Sequence, residues 1–166
     1  MKNLKIKFSK KAYIIWGTIL GIFLILGIYQ LRHPMIFCYE KDYFGKVGFN
    51  KFSSYEEVIC KKGNPLKIEK KEGVGSAVYY DGVEFGCNDV ENWIVQYVKV
   101  TGEQYRFGMW RIGVGSTRKK VESVYRHKIQ WSTDTIVQIC EGETWVKFEF
   151  DENNIVKAIY IALGWA

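Results

Sequence analysis

The hydrophobic and polar positions divide this chain into three regimes. From Ala12 to Leu31 every residue is uncharged and most are large and apolar. Lys10, Lys11 and Arg32 bound the stretch. A helix over 12–31 spans roughly 30 Å at about 1.5 Å per residue, the thickness of a bilayer's hydrocarbon core. The pattern therefore predicts a transmembrane helix. Beyond it the period becomes helical and then two, and the same order occurs again further on.

The first helical pattern is Ser53–Gly63. Ser53 or Ser54 can cap its start, Glu56 and Glu57 suit its positive end, and Gly63 with Pro65 stops it. Tyr55, Val58 and Ile59 share a face. Two stretches of β-favouring residues follow, Ala77–Phe85 and Trp93–Val100, with a turn predicted over Gly86–Glu91. A second capped helix is expected over Ser116–Tyr125, with Val121, Val124 and Tyr125 on its apolar side. Thr144–Phe150 alternates strictly, placing Val146, Phe148 and Phe150 against Trp145, Lys147 and Glu149. Asp151–Asn154 reads as a turn. Ile155–Leu163, apolar on both faces, reads as a central strand.

The two runs overlay at a near-constant offset. Ser53–Val58 matches Ser116–Val121, Val83–Phe85 matches Phe148–Phe150, and Ile94–Val100 matches Ile155–Ile161. Matched patterning in a held register points to an internal duplication. The expected fold class is α+β: a single N-terminal transmembrane helix, then two tandem αββ-type repeats forming one antiparallel sheet with helices on one face. The expected divisions are a basic cytoplasmic tail (1–11), a transmembrane signal anchor (12–31), a juxtamembrane linker (32–50) with a first strand near Lys46–Phe49, and an extracytoplasmic domain (51–166). Its repeats meet near 103.

The Glu56-Glu57-Val58 core and the Gly63-Asn64-Pro65 that follows, ahead of a β-meander, resemble the small extracytoplasmic modules typified by β-lactamase inhibitor protein and the SmpA/OmlA envelope lipoproteins. In the second copy Lys119-Lys120-Val121 takes the helix position, and Arg126-His127 stands where the G-x-P would be. The resemblance implies helices on one face of an antiparallel sheet, with the other face binding a partner protein.

Charge removes one class of function. Lys2, Lys5, Lys7, Lys10, Lys11 and Arg32 account for the whole net charge of +6, and no acid precedes Glu40. The rest of the chain is neutral, so a nucleic-acid partner, which requires a basic surface, is not expected. Lysines ahead of the apolar stretch put the N-terminus in the cytoplasm and the C-terminal domain outside. The apolar run is longer than a signal peptide's core, and no small-residue cleavage site follows it, which favours a retained anchor. Cys38, Cys60, Cys87 and Cys140 could pair outside the cytoplasm in three connectivities. Their spacing is not that of a zinc site, and no metal or cofactor is expected.

Candidate chemistry is sparse. No nucleophile elbow, metalloprotease helix or phosphate loop occurs. Gly113-Val114-Gly115-Ser116-Thr117 reads as a tight turn and N-cap. Glu84 and Glu149 occupy matched positions and read as solvated cross-strand charges rather than an acid–base pair. His127 follows a helix at the surface. The strongest candidates are aromatic: Tyr80 and Trp145, expected on the same sheet face as Glu84, Lys147 and Glu149 and opposite to Val83, Phe85, Phe148 and Phe150. The sequence thus points to a membrane-anchored extracytoplasmic module that binds a protein or an envelope component and performs no catalysis. A cell-envelope enzyme and an envelope-stress sensor are the alternatives.

Overall fold

The computed structural model describes residues 10–32, 47, 54–71, 75–88, 94–141 and 144–163, with the side chains of 10–14, 29–32, 71, 141 and 163 left aside. The chain divides into two compact units, Met1–His33 and Pro34–Ala166.

The first unit holds one helix, α1 (Lys10–Arg32). Ile15, Trp16, Leu20, Phe23, Leu24 and Ile25 on it are exposed. The expected helix over 12–31 therefore forms, but the transmembrane element of the fold is corrected. Among the described residues no helix is long and apolar enough to cross a membrane.

The second unit is an eight-stranded sheet, paired antiparallel throughout. Its elements are α2 (Tyr55–Lys62), β1 (Lys67–Lys71), β2 (Gly75–Tyr80), β3 (Val83–Cys87) and β4 (Val95–Val100), then a small hairpin of β5 (Arg106–Phe107) and β6 (Ile112–Gly113). There follow α3 (Arg118–Tyr125), β7 (Ile129–Ser132), β8 (Ile136–Glu141), β9 (Thr144–Phe150) and β10 (Val156–Leu163). The sheet order is β1-β2-β3-β4-β10-β9-β8-β7. A helix followed by four strands thus occurs twice, where alternation along the chain shows only two strands per repeat. The second half is laid down as the mirror order of the first. β4 and β10 meet at the centre, with Val98 opposite Ile161, Lys99 opposite Tyr160 and Val100 opposite Ile159. Lys99 and Tyr160 therefore mark the local two-fold axis that relates the halves.

Both helices begin at a hydroxyl cap. Ser54 accepts the Glu57 N–H at 3.3 Å, and Thr117 accepts the Lys120 N–H at 3.3 Å. The second cap lies one residue later than the first residue of the expected segment because the Ser116 hydroxyl accepts the Gly113 N–H at 3.1 Å. The glycine-rich turn before α3 is stitched to β10 as well, with the Gly115 N–H donating to the Val156 carbonyl at 2.8 Å. Its amides are spent on the fold, which supports the turn reading over an anion site.

Val58 of α2 and Val121 and Tyr125 of α3 join Val78, Phe85, Val98, Val137, Phe148 and Ile159 in one buried cluster. The helices therefore cover the same sheet face. Tyr125 stacks on Phe148, with ring centroids 5.5 Å apart. Of the region expected to hold a linker and a first strand, Arg32, which ends α1, and Val47 are described; Val47 is helical and wholly buried. Cys60, Cys87 and Cys140 form no disulfide with one another, while Cys38, Trp93 and Trp165 lie outside the described residues.

Candidate functional site

The site follows from side-chain alternation. Each strand turns alternate residues to the helices and the others to the opposite, open face. Directly paired residues in antiparallel strands share a face. The register then gives one unbroken row across all eight strands of the open face: Lys67, Tyr79, Glu84, Lys99, Tyr160, Lys147, Gln138 and Trp131. The neighbouring row runs Glu69, Ala77, Gly86, Tyr97, Ala162, Trp145 and Cys140.

Four of the five residues expected on this face are there: Glu84, Trp145, Lys147 and Glu149. Tyr80 is not. It pairs with Val83, a core residue, and so faces the helices. Its ring meets Phe85 edge-on at 5.9 Å, and its hydroxyl donates to the Gly63 carbonyl at 2.9 Å. The reason is a hairpin inside Ala77–Phe85, which alternation alone treats as one strand. Asp81 and Gly82 turn the chain, so Tyr80 and Glu84, four apart, fall on opposite faces. The tyrosine on the open face is Tyr79, the partner of Glu84. The register also corrects the overlay of the halves. Glu84 pairs with Lys99 on one side of the axis as Lys147 pairs with Tyr160 on the other. Its counterpart is therefore Lys147, not Glu149.

The row is a chain of charge and aromatic contacts. Tyr79 donates its hydroxyl to Glu69 at 2.8 Å, and Lys67 closes an ion pair on the same carboxylate. Tyr97 donates to Glu84 at 2.9 Å, and Lys99 stands 4.0 Å from that carboxylate. At the axis, Tyr160 lies between two ammonium groups, Lys99 at 5.3 Å and Lys147 at 4.2 Å from its ring centroid, a pair of cation–π contacts. Glu149 binds Lys157 at 2.8 Å. The Tyr97 ring sits directly over Gly86, where a Cβ would come within 1.9 Å of it. Glycine at 86 is thus what lets this ring lie down on the sheet. Trp145 is 39% exposed.

These contacts set the ionisation of the face. Burial first, then the hydrogen bond to Glu84, push the Tyr97 phenol well up. The hydrogen bond to Glu69 is the main cause that pushes Tyr79 up to about 12. Lys157 holds Glu149 below the usual carboxylate range, and the hydrogen bond to Tyr160 raises Lys99 against its own burial. The fold favours the neutral form of Tyr79. That preference is complete below the ordinary phenol value near pH 10 and fades as pH rises through about 12. The 295 nm titration of the protein minus that of its Tyr79→Phe variant therefore shows a phenol ionising near pH 12. With Glu69→Gln in both chains the difference curve moves back toward 10. A difference curve already centred on 10 would mean that Glu69 does not hold this hydroxyl.

Other candidates come apart. Glu84 on β3 and Glu149 on β9 are three strand spacings, about 14 Å, from each other. His127, in the turn after α3, is exposed and does not bring them together. A depression of about 650 Å³ is lined by Arg118, Asp134, Phe150, Asp151 and Lys157 among others. Its arginine is spent on structure. Arg118 donates to Glu122, Ser132, Thr133 and Asp134 at 2.7–2.9 Å and lies over Phe150. Among the described residues no group of three or more metal-ligating side chains converges. Trp110 and Trp131 are exposed; Trp131 ends the open-face row on the edge strand.

No family model matches the chain, and no curated protein matches it. Among solved structures, it is similar to an extracellular protein containing an SCP domain from Bacillus anthracis, with 18% identity and a TM-score of 0.52 over 67% of this chain and 43% of that one. A cysteine-rich secretory protein from Staphylococcus aureus matches at 11% identity and a TM-score of 0.48, over 68% and 44% of the two chains. A DUF4309 family protein from Bacillus subtilis matches at 12% and 0.44, over 67% and 78%. The chain spans less than half the length of the first two. What is shared with the Bacillus anthracis protein is the fold, a sheet-rich α+β domain; the expected likeness to β-lactamase inhibitor protein is not confirmed by these comparisons.

Proposed function

We propose that the unit Pro34–Ala166 is an extracytoplasmic binding module that engages a partner through its open sheet face, and that its activity is binding rather than catalysis. The observation that carries the reading is the row of tyrosines, lysines and a glutamate across six strands, continued by Gln138 and Trp131 to the sheet edge, opposite the face that the helices cover. Half-buried aromatic rings held in place by hydrogen bonds form an ordered surface, and an ordered surface lowers the entropy cost of binding. The fold likeness to an extracellular protein supports the location.

A photo-crosslinking amino acid at Trp145, on the open face, and at Ser123, exposed on α3, tests the reading in the full chain in its own cells. Crosslinked products form from position 145 and are absent from position 123. The same products from both positions, or none from 145, would rule out the open face as the binding surface.

A further inference from the structure

Resting on that reading, we infer that the occupant of the open face is a glycan chain of low net charge, lying across the strands over Trp145 and Tyr97. Three features of the face define its chemistry.

The first is charge. Glu69, Glu84 and Glu149 each have a tyrosine hydroxyl or a lysine as partner. The lysines at the axis are matched to Tyr160 and Glu84. A polyanion is held by basic groups in excess; here Lys67, Lys99, Lys147 and Lys157 stand against Glu69, Glu84 and Glu149, a surplus of a single charge.

The second is where the charges lie. The buried centre of a protein–protein interface is depleted of charged residues and rich in apolar anchors, with polar groups at the rim. Here the arrangement is inverted. Lys99, Tyr160 and Lys147 occupy the centre, while the exposed aromatics stand away from it, Trp145 one row off and Trp131 at the sheet edge. A protein partner would have to desolvate ammonium groups at its hot spot.

The third is the shape of the aromatic surface. Tyr97 lies over Gly86, so its ring is laid on the sheet with one side turned outward. Ala162 separates it from Trp145 in the register. Tyr97 and Trp145 thus stand on either side of β10, their backbones two strand spacings, about 10 Å, apart, with the Tyr97 ring lying outward over β3. A sugar ring has an apolar C–H face and a rim of hydroxyls that both donate and accept. The aromatic rings match the faces, and the adjacent ammonium, carboxylate and phenol groups match the rims. A flat ladder of this kind suits an extended chain of such rings better than a compact ligand, which is bound in concave pockets.

The test uses the full chain with chitohexaose and cellohexaose as neutral probes and heparin as the polyanion, followed by calorimetry and NMR line broadening. At least one hexasaccharide binds. Trp145→Ala weakens it about tenfold or more, Trp145→Phe keeps most of the affinity, and Ser123→Ala leaves it unchanged. Both Trp145 variants stay folded because that side chain faces solvent. The inference is overturned if neither hexasaccharide binds, if binding ignores Trp145, or if heparin binds more tightly and loses its affinity in Lys147→Met. If the hexasaccharides fail while a crosslinker at 145 still captures a protein, the glycan is wrong and the open face stands. If crosslinks from 145 and 123 are also indistinguishable, both fall.

Discussion

Phe148→Ala lowers the unfolding free energy of the sheet domain by about 3–5 kcal/mol, the cost of emptying a large aromatic site in a packed core. Phe148 is wholly buried. It pairs with Ile159 on β10 and Val137 on β8 and stacks on Tyr125 from α3. Its removal therefore leaves a void between the sheet and the second helix that neither can fill by side-chain motion. Trp145, three residues earlier on the same strand, points the other way. Trp145→Ala takes a larger side chain off the open face and costs less, because 39% of that residue already meets water. Urea unfolding followed by far-UV circular dichroism measures both. The midpoint moves for Phe148→Ala while the slope stays the same, because the surface exposed on unfolding is nearly unchanged. Equal costs for the two variants would mean that β9 has no inside and outside, and the face assignment would fail with it.

How much of this is legible in the sequence depends on whether a residue's surroundings are local. The helix at Ser54 is readable because a cap, two early acids and a terminal glycine lie within ten positions of one another. The strict alternation of β9 is readable because one of its faces is wholly apolar. The duplication is visible as pattern, and the sheet order returns it as a helix and four strands on each side of the Lys99–Tyr160 axis. The strands that the pattern does not show are of two kinds. β1, with Lys67, Glu69, Lys70 and Lys71, is an edge strand, and charge on both faces of an edge guards against stray pairing while erasing its period. β8 does alternate, with Val137 and Ile139 buried about Gln138, and carries a usable signal. The open-face partners cannot be read at all. That Tyr160 lies between Lys99 and Lys147 depends on β4 meeting β10, a pairing between distant segments that no local pattern encodes. The transmembrane expectation rests on the uncharged run alone, and among the described residues no helix is long and apolar enough to cross a membrane.

The turn that reverses Tyr80 also gives the second large effect. Gly82→Ala destabilises the domain by about 2–4 kcal/mol, from backbone strain together with a collision. Gly82 has a φ of +68°, which an L side chain adopts at a cost of about 1–2 kcal/mol. A Cβ there would also lie 2.5 Å from the Cα of Gly102. That contact cannot be relieved by moving a side chain, because the Gly82 carbonyl accepts the N–H groups of both Thr101 and Gly102 at 2.9 Å. The β2–β3 turn is thus pinned to the end of β4 by the same atoms that would have to separate. Gly63→Ala is the matched control. Gly63 has φ +77° and ψ −163°, a region nearly confined to glycine, yet a Cβ there would meet nothing within 4 Å, so it bears strain alone, about 1–3 kcal/mol. Chemical denaturation of the two variants separates strain from contact. If Gly82→Ala costs no more than the strain of a left-handed residue, about 1–2 kcal/mol, the close approach to Gly102 is absent in solution. The tight turn that sends Tyr80 inward and Tyr79 outward would then lose its physical basis, and with it the first half of the open-face row.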